Sequence, residues 1–158
     1  MQNTVLCYLE QNGSWLMMNR IKKNNDLNLG KWVAPGGKLE EKESPLDCVK
    51  REVFEETELK VNSAALRGIV TFVSDIYETE QMFVFVCDDF SGKVNYDCSE
   101  GVIEWKKISE VNSLPIWEGD KIFHDYLIKG LPFFNLKLVY SGDKLTDAYL
   151  EGERILNL

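Results

Sequence analysis

Three glutamates, Glu52, Glu55 and Glu56, stand at spacings that place them on one face of a helix. At 100° per residue, with Glu52 as origin, Glu55 falls at about 300° and Glu56 at about 40°. Like charges so placed repel by about a few tenths of a kcal/mol per pair. Glu55 and Glu56 also lie toward the helix C-terminus, where the helix dipole disfavours negative charge. A hard divalent cation removes both penalties, because Mg²⁺ prefers carboxylate and carbonyl oxygens. A solvated acidic face is the alternative reading of the same residues.

The elements that must hold these side chains are legible around them. Ser44 is a helix N-cap, Pro45 takes the first helical position, and Asp47 stands three residues after the cap. The helix runs to about Thr57, with Leu46, Val49, Val53 and Thr57 on the face expected to bury. Cys48 is expected beside the acids, and Arg51 within reach of Asp47 and Glu55. Before the helix, Pro35-Gly36-Gly37 is read as excluding regular structure while letting backbone approach a ligand closely. Elsewhere residues 4–9, 15–18, 64–73, 81–87 and 103–105 read as strands, with Asn12-Gly13 as a hairpin turn. Residues 22–30 are a polar loop. Residues 119–128 carry apolar positions at helical spacing and end at Gly130; 133–140 and 145–150 form a hairpin around Ser141-Gly142-Asp143. Mixed strands with a few helices imply an α/β (α+β) layer fold, and the absence of repeats or linkers implies a single domain over residues 1–158.

Composition narrows the partners. In 158 residues, 18 Lys and Arg face 26 Asp and Glu, a net charge of −8, with 44% hydrophobic residues. This is a globular balance, and no apolar run approaches the length of a membrane span. The N-terminus lacks a signal-peptide pattern, so a cytoplasmic location is expected. An acidic surface disfavours nucleic-acid polymers and anionic membranes, and repels a phosphorylated small molecule unless a cation intervenes. The four cysteines, Cys7, Cys48, Cys87 and Cys98, show no zinc-ligand spacing and are expected as reduced, mostly buried thiols.

Gly37, Glu43, Arg51-Glu52-Val53 and Glu55-Glu56 resemble the signature of the Nudix hydrolases, G-x5-E-x7-R-E-U-x-E-E-x-G-U with U aliphatic. Every specified position agrees except the last glycine, which is Glu58 here, followed by the aliphatic Leu59. That glycine ends the helix, where a left-handed conformation is common, so Glu58 is expected to cost on the order of 1 kcal/mol if the conformation is kept. The resemblance implies the Nudix fold, a mixed β-sheet sandwiched between helices, and Mg²⁺-dependent hydrolysis of a nucleoside diphosphate linked to another moiety, with Mn²⁺ as a possible substitute. It implies metal ligation by Glu52, Glu55, Glu56 and the Gly36 carbonyl, with Glu55 or Glu56 as general base. Arg51 would orient the glutamates and Glu43 support the loop–helix junction. Gly37, Lys38 and Lys23 would contact the phosphates.

Gly30-Lys31-Trp32, residues 99–105 and residues 114–120 resemble the bacterial MutT/MutX-like branch, the 8-oxo-dGTP diphosphatases that sanitise the nucleotide pool in support of DNA repair. By that resemblance Glu100 adds a carboxylate to the metal cluster. Trp117 stacks on a purine, Asp120 reads its edge, and Glu118 is a secondary base contact. Val33 departs from the amide that animal enzymes place there, which leaves the substrate open: another nucleoside triphosphate, an ADP-sugar or a pterin triphosphate. A nucleotide sensor without activity is disfavoured by the intact Arg51, Glu52, Glu55 and Glu56. The protein is expected as a monomer or homodimer.

Overall fold

A computed structural model describes residues 1–21 and 28–156. The chain runs β1 (Gln2–Gln11), β2 (Ser14–Asn19), β3 (Trp32–Val33), β4 (Gly36–Lys38), α1 (Pro45–Thr57), β5 (Lys60–Ser74), β6 (Glu80–Ser91) and β7 (Val102–Lys107). It continues through α2 (Ile108–Val111), α3 (Asp120–Lys129), β8 (Phe134–Ser141), β9 (Lys144–Leu150) and β10 (Glu153–Arg154). The strands join in the order β10-β9-β8-β5-β6-β1-β2-β3, with β4 added to β1 and β7 to β2. Pairing is mixed: β1 runs parallel to β6 and β5 parallel to β8, while the other pairs are antiparallel.

Strand alternation divides the interior in two. Along β1 and β2, Val5, Cys7, Leu9, Leu16 and Met18 face the side of α1, where Val49 and Val53 meet them. Tyr8, Trp15 and Met17 face the other side, packed with Phe123 and Leu127 of α3. The sheet therefore lies between helices, as expected. Among the described residues no helix is long and apolar enough to cross a membrane.

Pro35-Gly36-Gly37 does not exclude regular structure. Gly36–Lys38 is strand β4, in register with Thr4, Val5 and Leu6 of β1. Gly36 allows this because a Cβ there would stand 1.9 Å from the Val5 carbonyl oxygen. The expected loop at 22–30 is described only from residue 28, where it forms a turn.

Candidate active site

Helix α1 is built as its spacing implied. The Ser44 hydroxyl accepts from the Asp47 N–H at 3.1 Å, the Asp47 carboxylate accepts from the Ser44 N–H at 3.0 Å, and Pro45 fills the first turn. Val49, Val53 and Thr57 are fully buried, while Leu46 is only half-buried. Cys48 lies beside the acids, with Glu43 and Glu52 near it, and is buried with its thiol 3.4 Å from the Lys38 carbonyl oxygen of β4. Burial and the neighbouring Glu43 push that thiol up to about 12, which disfavours the thiolate. At the other end Glu58 adopts φ 64, ψ 10 and donates its N–H to the Phe54 carbonyl. The left-handed end of the helix is kept without glycine.

Arg51 organises the acidic face. Its guanidinium grips Glu43 through Nε at 2.6 Å and Nη2 at 2.9 Å. It also donates to Glu52 at 2.7 Å, Glu55 at 3.3 Å and the Lys38 carbonyl at 3.1 Å. The expected partner Asp47 is committed to the cap, so Arg51 turns to Glu43 instead. This paired grip holds the Glu43 carboxyl down at about 2. Glu43 also accepts the Glu40 N–H at 2.8 Å, which joins the loop to the helix.

Glu52, Glu55 and Glu56 open into a cleft of about 540 Å³ whose far wall is the segment 95–100. Glu100 lies in that wall, paired with Arg20 at 3.1 Å. Burial, with Glu52 and Glu100 facing it, raises the Glu56 carboxyl well above the usual range. Among the described residues the acids do not converge into a ready-made cation cage; Glu52 and Glu55 lean toward Arg51. The donor set still fits a hard divalent cation, since it offers carboxylate oxygens whose crowding such a charge relieves. Gly37 abuts Glu52 directly, leaving no room for a Cβ between them.

A second cavity, of about 510 Å³, is lined by Gly36, Gly37 and Lys38 of β4 together with Trp117 and Asp120. Trp117 meets Phe72 and Tyr140 edge-on. Asp120 is 8% exposed, and no described side chain or main-chain group donates a hydrogen bond to its carboxyl. Burial raises it to about 7, with Lys31 opposing the shift. Glu118 is exposed and outside this lining, and Val33 is part of it. Lys23 lies outside the described residues.

The cavity also contains residues that sequence reasoning missed: Arg20, Asn28 and Glu80. Arg20 precedes and Asn28 lies within the polar loop 22–30, which has no periodic signal, and Glu80 ends the polar, acidic connection between residues 73 and 81. Glu80 is also raised by burial, against the pull of Lys38.

A model of the NUDIX domain matches residues 1–127. The chain belongs to the Nudix hydrolase family. This Nudix hydrolase is 32% identical over 147 residues to the uncharacterized Nudix hydrolase YvcI of Bacillus subtilis (strain 168), covering 90% of this chain and 89% of the relative. The crystal structure of the mutator MutT protein from Bacillus halodurans matches it with TM-score 0.86 at 31% identity, over 97% of this chain and 99% of that one. The NUDIX domain of Shewanella oneidensis NrtR, complexed with ADP ribose, shares the fold with TM-score 0.68 at 19% identity, over 83% and 88% of the two chains. This Nudix hydrolase is therefore an enzyme of acid anhydrides acting on nucleoside diphosphate derivatives, in a family that generally needs divalent metal ions.

Proposed function

We propose that this Nudix hydrolase is a Mg²⁺-dependent pyrophosphohydrolase of nucleoside triphosphates, with 8-oxo-dGTP as its principal substrate and the monophosphate and pyrophosphate as products. One observation carries the reading. Glu52 of the acidic cleft abuts Gly37 of β4, and Gly37 also lines a cavity with a buried indole and a buried carboxyl to which no described residue donates a hydrogen bond. A nucleotide lying across β4 presents phosphates to the acids and its base to Trp117 and Asp120.

Glu52, Glu55, Glu56, Glu100 and the Gly36 carbonyl would hold Mg²⁺, with Mn²⁺ as substitute. Bound there, the cation neutralises phosphate oxygens and acidifies water, the chemistry of metal-assisted hydrolysis. Arg51 and Glu43 fix the helix face, Glu55 or Glu56 takes the proton of the attacking water, and Lys38 and Arg20 face the polyphosphate. Trp117 offers a stacking surface, and the Asp120 carboxyl accepts from ring N–H groups or, protonated, donates. We take residues 1–158 as one domain, monomeric or homodimeric. It would work on free nucleotides in the cytoplasm, in keeping with four free buried cysteines and a net charge of −8.

The test is a pyrophosphate-release assay over oxidised and normal nucleotides with Mg²⁺ and Mn²⁺. A kcat/KM for 8-oxo-dGTP well above that for dGTP is expected; equal values would sink the sanitising role. A second reading, another nucleoside diphosphate derivative such as an ADP-sugar, is favoured by Val33, which lines the cavity and whose side chain cannot hydrogen-bond a base. It predicts that a diphosphate-linked compound leads the panel.

A further inference from the structure

We infer that Asn28 is a positioning residue for nucleotide recognition, acting through Trp117; this rests on the reading of Trp117 as the base wall. Trp117 is 5% exposed, and its indole N–H can only donate. The acceptor is the Asn28 side-chain oxygen at 2.7 Å, from a segment 89 residues away. The other ring neighbours, Phe72 and Tyr140, meet the indole edge-on at 5.5 and 5.0 Å between centroids. Such contacts confine a ring but do not fix its rotation, whereas a hydrogen bond to one edge atom does.

The turn that carries Asn28 is itself anchored. The Asn28 carbonyl accepts the Lys31 N–H at 2.8 Å, the Gly30 N–H reaches the Arg20 carbonyl at 2.7 Å, and the Trp32 N–H reaches the Pro115 carbonyl at 2.8 Å. Lys31 then sets its ammonium 4.4 Å from the centre of the Trp117 ring and pairs with Asp143 at 3.7 Å. One short turn thus holds the indole by its edge and by its face. Asn28 lines the same cavity as Trp117 and Asp120, so a pivot of the ring changes the space and the angle offered to a base. Such a change falls on binding rather than on the chemical step across β4.

The experiment combines Asn28→Ala, Asn28→Asp, Trp117→Phe and the double variant Asn28→Ala/Trp117→Phe. Kinetics use the best nucleotide of the panel, and near-UV circular dichroism reports the indole. Asn28→Ala is expected to raise KM about tenfold with kcat changed less than about twofold, and to alter the near-UV signal. Asn28→Asp keeps the acceptor oxygen and is expected to restore both to within about threefold of wild type. On the Trp117→Phe background, which lacks the N–H, Asn28→Ala should add less than about twofold. Additive effects in the double variant, or an unchanged KM in Asn28→Ala, overturn the inference. If Trp117→Phe alone leaves KM unchanged for every nucleotide, the base-wall reading fails and takes the inference with it.

Discussion

Gly37 and Glu52 compete for one space: a Cβ on Gly37 would stand 2.5 Å from the Glu52 carboxyl carbon and within 2.7 Å of both its oxygens. The obstructing group is the far end of a flexible side chain, which an added methyl would push aside. At Gly36 the obstruction is the Val5 carbonyl, part of the β1 backbone.

The two adjacent glycines should therefore fail differently. Gly37→Ala is expected to keep a near-native melting temperature while turnover falls roughly 10²-fold, because Glu52 is displaced by about an ångström or more. Gly36→Ala should break the β4–β1 pairing and cost about 2 kcal/mol or more of stability. Thermal melts and turnover measured side by side decide it; equal losses of stability in the two variants would contradict the assignment.

Glu58 holds a left-handed backbone at φ 64 at the acidic end of a helix with no basic residue in its last turn. Glu58→Gly is expected to stabilise by about 1 kcal/mol, through relief of the φ penalty and of charge repulsion at the dipole end. For a chain of this size that is a rise of about 2–4 °C in melting temperature, with turnover within about twofold. A lowered melting temperature would refute it.

Glu56 faces Glu52 and Glu100 across the cleft. Removing its charge should relieve the metal-free protein and weaken its hold on a cation at once. Glu56→Gln is expected to raise the melting temperature in chelator, to shrink the stabilisation given by added Mg²⁺, and to lower turnover by about 10² or more. Calorimetric titration with Mn²⁺ reads the binding directly. Undiminished Mn²⁺ affinity would remove Glu56 from the ligand set.

Asp120 and His124, one turn apart on α3, tilt stability in opposite senses with pH. Burial raises the Asp120 carboxyl to about 7 from 3.8. Between pH 4 and 7 the unfolded chain loses a proton that the folded chain keeps, so stability falls as pH rises through that window. His124 is buried against Tyr8 at 2.8 Å and Asn112 at 2.9 Å, and burial lowers it to about 3 from 6.5. Below pH 6.5 the unfolded chain gains a proton that the folded chain refuses, so stability falls as pH drops toward 3. Asp120→Asn should uncover the His124 slope: urea midpoints from pH 4 to 6.5 should rise more steeply than in wild type, by up to about 1.4 kcal/mol per pH unit. Parallel profiles would show that Asp120 titrates as an ordinary carboxylate.

What could be read from sequence was what local spacing determines. The capping box at Ser44, the buried stripe of α1, the Asn12-Gly13 turn and the stop at Gly130 all depend on neighbours within a few residues. Strand β4 was read as irregular because its pairing with Val5 and Leu6 depends on a close approach between distant segments. Arg51 turned from Asp47 to Glu43 because the cap had already claimed Asp47. Trp117 and Asp120 do line a cavity, whereas Glu118, between them in the chain, faces out because of the turn into α3. Asn28, Arg20 and Glu80 carried no pattern at all, since their proximity arises only when strands from separate parts of the chain align.

The division of the interior by the sheet has a consequence for descent. The carboxylates ride on α1 and rest on one core, whereas Trp117 and Asp120 rest on the other, across β4. On the proposed reading, substitutions at Trp117 fall on a core that contains no residue of α1. If the cavity takes the base as proposed, lineages with this architecture can exchange one base for another at Trp117, risking affinity in each trial but leaving the carboxylates of α1 in place.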